Sequence, residues 1–247
     1  MNIIVVNFSG NVGKSSLVRH LLAPRLPDHV VVEVETVNLS GNSGVDVIRG
    51  SGSGASSLLD EMTSDKNHIL DIGSSNAEPF LSVLSQRKSF LDVDLFIVPV
   101  LAGPKQIGDT INSVLALVHM GVEEQNILIL PNNVREFDVD ELPTKLSRLS
   151  NLKLKYSSIR FDPNFFVPYN ESVEILMRAK DVTGGRALTV SDAATDSTDY
   201  RLLIAESEDR EKRRELTKNL VLQRMAVDYK KVLDRIFDEI FGATVGK

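Results

Sequence analysis

The sequence predicts an α/β fold: a doubly wound, mostly parallel sheet followed by a C-terminal helical extension. Three observations carry this expectation. Short β-branched runs recur along the chain and are almost continuously apolar, as strands covered on both faces must be; a sheet with one wet face would alternate. Segments with helical spacing of apolar residues separate these runs, which is the rhythm of right-handed βαβ crossovers. Beyond residue 200 the strand pattern stops and an amphipathic helical pattern remains.

In chain order, Asn2–Asn7 opens as a strand through Ile3-Ile4-Val5-Val6, and Ser15–Leu22 has helical spacing. Val30–Val37 reads as the second strand. The next stretch, Ser40 to Ser57, is rich in Gly and Ser, so it is expected to be a mobile loop long enough to act as a switch or lid. Strands follow at His68–Ile72, Asp94–Val100 and Asn126–Leu130, with helices at Glu78–Ser89, Ile107–His119 and Val139–Leu149 between and after them. A further strand is expected within Lys153–Ile159. The organisation is then a principal domain over 1–180, a polar, turn-rich linker or loop over 181–199, and a helical extension over 200–247. In the extension Leu216, Leu220, Val221, Met225, Val227, Leu233, Ile236, Phe237 and Ile240 mark one long helix or two. Its charged run Glu208–Glu215 is either a solvated face or a contact surface.

Composition narrows the classes. With 247 residues, 42% hydrophobic and 25% charged, the chain can bury a sizeable core and is not disordered. It contains no cysteine, which excludes disulfides, thiolate zinc sites, iron–sulfur clusters and a cysteine nucleophile, and suits a reducing cytoplasm. No signal-peptide leader precedes the first strand, and the longest apolar stretch, near Leu95 to Ala102, is too short to span a bilayer. A cytoplasmic protein without a membrane span is expected. The net charge of −6 argues against coating nucleic acid through an overall field, so direct DNA binding is expected to be weak or absent.

The strongest local signal is Phe8-Ser9-Gly10-Asn11-Val12-Gly13-Lys14-Ser15-Ser16, between the first strand and the first helix. A polyphosphate needs inward-pointing N–H groups ahead of a helix N-terminus. Gly10 and Gly13 permit the curve, with Asn11 and Val12 between them. Lys14 is expected to reach the β- and γ-phosphates, Ser15 to ligate Mg²⁺ and Ser16 to bond the α-phosphate. Phe8 stands where the usual first glycine of the motif would be.

A bound cation also needs carboxylates at neighbouring strand ends. Asp71, after an apolar run and two residues before Gly73, reads as the Walker B acid, with a helix cap as the bland alternative. Glu33 and Glu35 share one face of an otherwise apolar strand; they either serve a cation or network, or lie on a half-wet edge strand. For the base, guanine readers present Asn-Lys-x-Asp, and here Asn132-Asn133-Val134-Arg135 has arginine in place of the acid. That favours adenine, with Asn132 as reader, unless Pro131-Asn132-Asn133 only builds a turn.

These motifs resemble the ParA/MinD group of P-loop ATPases, the deviant-Walker proteins that position plasmids, chromosomes and division sites. The likeness covers roughly residues 1–170. Gly10, Val12, Gly13 and Lys14 match the family loop Lys-Gly-Gly-Val-Gly-Lys-Thr, and Ser15 replaces its threonine. The resemblance implies that Glu33 and Glu35 match the family's Asp-x-Asp pair, with Glu35 positioning water or Mg²⁺ beside Lys14 and Asp71 in catalysis. It also implies that Asn132 contacts adenine and that Val167-Pro168-Tyr169-Asn170 packs beside the base. ATP or ADP with Mg²⁺, a homodimer formed on ATP binding and a DNA-binding adaptor protein are what the resemblance implies as cofactors and partners. The family's signature lysine would fall at position 9, which is Ser9, and Asn11 replaces a loop glycine. Serine cannot neutralise charge, so hydrolysis is expected to be slow, or another cation such as Lys105 substitutes, unless Lys105 is an ordinary solvated lysine. Two other classes remain open from the sequence: a P-loop kinase or ligase acting on a small molecule, and a nucleotide-free adaptor with a degenerate loop.

Overall fold

A computed structural model describes residues 1–35, 46–49, 53–63, 67–178 and 188–242. The side chains of residues 35, 46–49 and 53–57 lie outside that description. The described residues form two compact units: a sheet unit comprising Met1–Val18 and most of the chain from Leu26 to Tyr169, and a helical unit comprising Arg19–Arg25 and the chain from Asn170 onward.

In the sheet unit, β1 (Asn2–Val5) leads through the Gly10–Gly13 turn into α1 (Lys14–Leu17), whose helical run continues with wider π turns over Val18–Leu22. Next come β2 (His29–Glu35), β3 (Asp46–Arg49), α2 (Ser53–Met62), β4 (Asn67–Ile72), α3 (Ser74–Arg87), β5 (Leu95–Val100), α4 (Pro104–Met120) and β6 (Ile127–Pro131). Two further helices, α5 (Leu142–Lys145) and α6 (Ser147–Lys155), follow. The sheet has six strands in the order β3-β2-β4-β1-β5-β6, all parallel. This is the expected doubly wound architecture. Its order reverses at β1, so ligands are expected outside the carboxyl ends of the strands beside it.

The apolar runs explain the strands. Ile3, Ile4, Val5 and Val6 are fully buried, as are Ile69, Leu70 and Ile72 of β4 and Phe96, Ile97 and Val98 of β5. Helical side chains complete the core: Leu58, Leu59 and Met62 from α2, Phe80 and Leu84 from α3, Val114 and Leu117 from α4.

Three sequence expectations change. Lys153–Ile159 is not a strand, because α6 runs to Lys155. Leu149 is buried and Leu152 and Tyr156 pack on the core at helical spacing, whereas Leu154 is 83% exposed. The helix expected over Val139–Leu149 is broken between α5 and α6, where Leu146 leaves helical geometry. Within Ser40–Ser57, expected as a loop, the described residues instead supply β3 and the start of α2; the rest of that stretch lies outside the described residues.

In the helical unit, α7 (Glu171–Arg178), α8 (Val190–Thr195), α9 (Tyr200–Glu206) and α10 (Arg210–Phe241) are described. α8 falls in the segment expected as linker. Thr189 and Asp192 close a reciprocal capping box at its start, a local device that nucleates a helix in a polar stretch. The extension forms two helices because Asp209 accepts from the N–H groups of Glu211 and Lys212, starting α10 afresh after α9. Ala226, Tyr229, Leu233, Ile236, Ile240 and Phe241 form the buried stripe of α10. Arg25 donates to the carbonyls of His20 and Leu21 and pairs with Asp234 of α10 at 2.7 Å. No helix among the described residues is long and apolar enough to cross a membrane.

Candidate functional site

The loop after β1 is built by two left-handed residues. Gly13 has φ +84° and Asn11 has φ +57°, and asparagine is one of the few non-glycine residues that tolerates this region. At Gly13 no other residue would fit: an added Cβ would lie 2.2 Å from the Asn132 amide nitrogen. That nitrogen donates to the Val12 carbonyl at 2.9 Å. The end of β6 is thus tied to the loop, with the Asn132 amide oxygen left as an acceptor.

Lys14, expected as the phosphate-binding cation, is 7% exposed. Its Nζ donates to the carbonyls of Ser9 at 2.8 Å and Asn7 at 3.2 Å. Burial holds its pKa below the usual lysine range, and the negative Asp71 opposes that shift. Ser15 and Ser16 follow on the first turn of α1, half-buried. Gly10 faces the segment after β4; a Cβ there would meet the Ser74 hydroxyl at 3.4 Å. The turn at Gly10 therefore lies close to the start of α3.

Asp71 is 4% exposed near the end of β4, opposite Val5 of β1. The helix-cap alternative fails, because α3 is capped by Gly73 without any side-chain hydrogen bond. Register decides which second acid stands beside it. Glu33 is the residue directly opposite Asp71, whereas Glu35 pairs with Arg49 on β3. β2 is not an edge strand, since β3 covers its outer side. Glu33 is half-buried between the buried Val32 and Val34. The backbone of Glu35 continues β2 toward the carboxyl edge, and its side chain lies outside the described residues. Gly73 N–H and the Asn76 side-chain amide both donate to the Val34 carbonyl, at 3.0 and 3.3 Å. That pins the turn after Asp71 to the end of β2.

The remaining expected residues gather at the same edge. Pro168 bridges to Val134, and the chain of Val167–Tyr169 hydrogen-bonds Pro131 and Val134 beyond the end of β6. This brings Pro168 and Asn132 onto neighbouring strands of chain. Lys105, in the first turn of α4, is exposed at the end of β5.

Sequence reasoning missed a buried polar hub beneath the loop. Asn7 donates through Nδ2 to the Pro99 carbonyl and the Thr110 hydroxyl, both at 2.8 Å. Its Oδ1 accepts from the Ser9 N–H at 2.7 Å, and the Phe8 N–H donates to the Ser113 hydroxyl at 2.9 Å. Thr110 and Ser113 return their own protons to carbonyls one turn back in α4, so their oxygens are committed as acceptors. The available signal was two hydroxyls at i, i+3 on the same face of α4 as Ile107, Val114 and Leu117, facing an asparagine that ends an apolar strand.

Comparison with known proteins adds the fold. No family model matches the chain, and no curated protein matches its sequence. Among solved structures, the pnob8 ParA structure superposes with a TM-score of 0.52 at 10% identity, covering 96% of this chain and 98% of the other. The chain has the ParA fold. The same search finds an ATP complex of a Cyanothece McdA variant, with a TM-score of 0.43, 14% identity and coverage of 71% of this chain and 86% of that one. At these identities the likeness to ParA extends to the fold alone. The assignment of individual residues rests on the geometry above.

The site's chemistry suits a nucleotide polyphosphate. It combines two left-handed turn residues, a desolvated ammonium, two hydroxyls and a buried carboxylate. The donor set also suits Mg²⁺, a hard cation held by a few protein oxygens together with phosphates. Among the described residues there is no group of three or more His, Asp or Glu that could hold a metal.

Proposed function

We propose that the chain is a nucleotide-dependent switch ATPase of the ParA/MinD type, acting in plasmid stability, segregation or positioning, with likeness to StbB-type plasmid stability proteins. The observation that carries this is Lys14, buried on the carbonyls of its own loop beside Asp71. A desolvated ammonium resting on loop carbonyls is poised to exchange them for phosphate oxygens. The ParA fold supports the same reading.

In this reading the N–H groups of Gly10–Lys14 and the Lys14 ammonium hold the β- and γ-phosphates of ATP, and Ser16 bonds the α-phosphate. Ser15 and Asp71 would hold Mg²⁺, with Glu35 placed by its backbone at the same edge. The ion would neutralise charge developing on the transferred phosphoryl group. Asp71 also balances Lys14, and Gly73, pinned to Val34, leads into the segment that would sense the γ-phosphate. Ser9 carries no charge, so hydrolysis to ADP and phosphate is slow, and ATP binding rather than fast turnover controls a homodimer and the capture of a DNA-binding adaptor.

Equilibrium binding of ATP and ADP, with and without Mg²⁺, tests the reading. Lys14→Ala is expected to weaken ATP binding by about 10- to 100-fold, the worth of a charge-assisted hydrogen bond, with an unchanged circular dichroism spectrum. An affinity unaffected by Lys14→Ala would remove the phosphate assignment. Size-exclusion chromatography with ADP and with a non-hydrolysable ATP analogue tests the dimer; identical elution in both would exclude it.

A further inference from the structure

We propose that the Ser74 hydroxyl makes this site distinguish ATP from ADP, by donating a hydrogen bond to the γ-phosphate; the proposal rests on the nucleotide reading above and names the side chain that reads the terminal phosphate. The loop after β1 has two flanks. On one, Gly13 faces the Asn132 amide, which follows β6; on the other, Gly10 faces Ser74, which follows β4. Among the described residues, a Cβ built on Gly10 would meet the Ser74 hydroxyl alone within 4 Å, at 3.4 Å. The missing side chain at Gly10 thus leaves that hydroxyl room beside the loop. The same flank carries Asp71, the Mg²⁺ ligand of the nucleotide reading, near the end of β4. An ion in such a place bridges the β- and γ-oxygens, so the far end of the phosphate chain belongs on the β4 side of the loop rather than on the Asn132 side.

The hydroxyl is held in place and is not spent elsewhere. Gly73 N–H and the Asn76 side-chain amide both donate to the Val34 carbonyl, which fixes the chain on either side of Ser74. Serine stabilises a helix start from the N-cap position, but here Gly73 is the N-cap and Ser74 lies one residue inside α3. Among the described residues no hydrogen bond engages the Ser74 side chain, and the residue is half-buried, so a ligand in the loop can reach it. Its neighbours are placed differently: Ser75 is exposed, and Asn76 is buried on Val34. A hydroxyl supplies one donor, and a γ-phosphate presents charged oxygens that accept it strongly. ADP brings no third phosphate to this flank and leaves the hydroxyl to water.

Equilibrium binding of ATP and of ADP, each with Mg²⁺, to the full chain and its variants tests this. Ser74→Ala is expected to weaken ATP binding by about 10-fold, the worth of one hydrogen bond to a charged oxygen, while ADP affinity changes by less than about twofold. Ser74→Thr keeps the hydroxyl and should hold the ratio of ATP to ADP affinity within about threefold of the wild-type value. Gly10→Ala places a Cβ 3.4 Å from the hydroxyl and should lower the same ratio without altering Ser74; it decides the matter if Ser74→Ala fails to fold. A ratio unchanged in both Ser74→Ala and Gly10→Ala, equal losses for ATP and ADP in Ser74→Ala, or a Ser74→Thr chain as impaired as Ser74→Ala overturns the proposal while leaving the phosphate site standing. Failure of the wild-type chain to bind either nucleotide overturns the nucleotide reading and this inference together.

Discussion

In the sheet unit Asn7, Lys14, Asp71, Asn76 and Asn132 are buried at the carboxyl ends of the strands, and each interacts with a neighbouring segment of chain. In the helical unit His20 is equally buried, yet its imidazole accepts from the Val190 N–H at 3.2 Å from Nδ1, and its Nε2 has no partner among the described residues. The difference is instructive. Buried polar groups that satisfy one another make a rigid, pre-shaped surface, whereas a buried titratable group on one hydrogen bond adds little specificity and creates a sensitivity to acid.

The largest effect is expected where the network is densest. Asn7→Ala removes the partner of the Ser9 N–H, the Pro99 carbonyl and the Thr110 hydroxyl in a region without access to water, at a cost of about 4 kcal/mol for several stranded groups. Urea unfolding of the variant measures it, and a loss under about 1 kcal/mol would show that the hub is not what holds the loop. The same variant should also weaken ATP binding, because Asn7 shapes the carbonyl bed of Lys14.

His20 tests the other side of the comparison. Burial first, and then the nearby Arg19, push its pKa down to about 4, with Asp192 opposing. The unfolded chain takes up a proton near pH 6.5, and the folded chain only near pH 4. Between these values the unfolded state therefore binds more protons, and stability is lost as the pH falls through that window. The expected loss is on the order of 3 kcal/mol. His20→Gln, which keeps an acceptor for the Val190 N–H, should flatten the dependence; an equally steep acid loss in that variant would mean that other groups cause it.

A smaller effect is expected at the start of α10. Asp209 accepts from two N–H groups, and Asp209→Ala should lower thermal stability by about 1 kcal/mol. A null result there would sharpen the contrast, by showing that the exposed first turns of α10 contribute little to the unit.

Much of this was legible beforehand, for particular reasons. β1, β4 and β5 announced themselves because Ile3–Val6, His68–Ile72 and Leu95–Val100 are apolar almost without interruption. The turn after β1 was legible because Gly10–Ser16 is contiguous and its glycines mark the turn locally. The strand expected within Lys153–Ile159 gave way to the end of α6, whose buried leucine and tyrosine contacts lie at helical spacing, and Gly/Ser content hid β3. The Asn7 hub was not legible, since its partners on β5 and α4 lie 92 to 106 residues away. Nor was the packing of Arg135 on Tyr169 legible, since only the fold brings Tyr169 beside Val134.

The sequence by itself therefore determined the class of fold, the strand and helix periodicities and the turn between β1 and α1, all of which depend on residues close along the chain. Only the tertiary structure decided that Glu33 faces Asp71, that Asn132 braces Gly13 and that α4 carries the loop through Thr110 and Ser113. Strand register and the pairing of buried polar groups are settled by packing between distant segments, where a donor's partner is whatever the fold brings within about 3 Å.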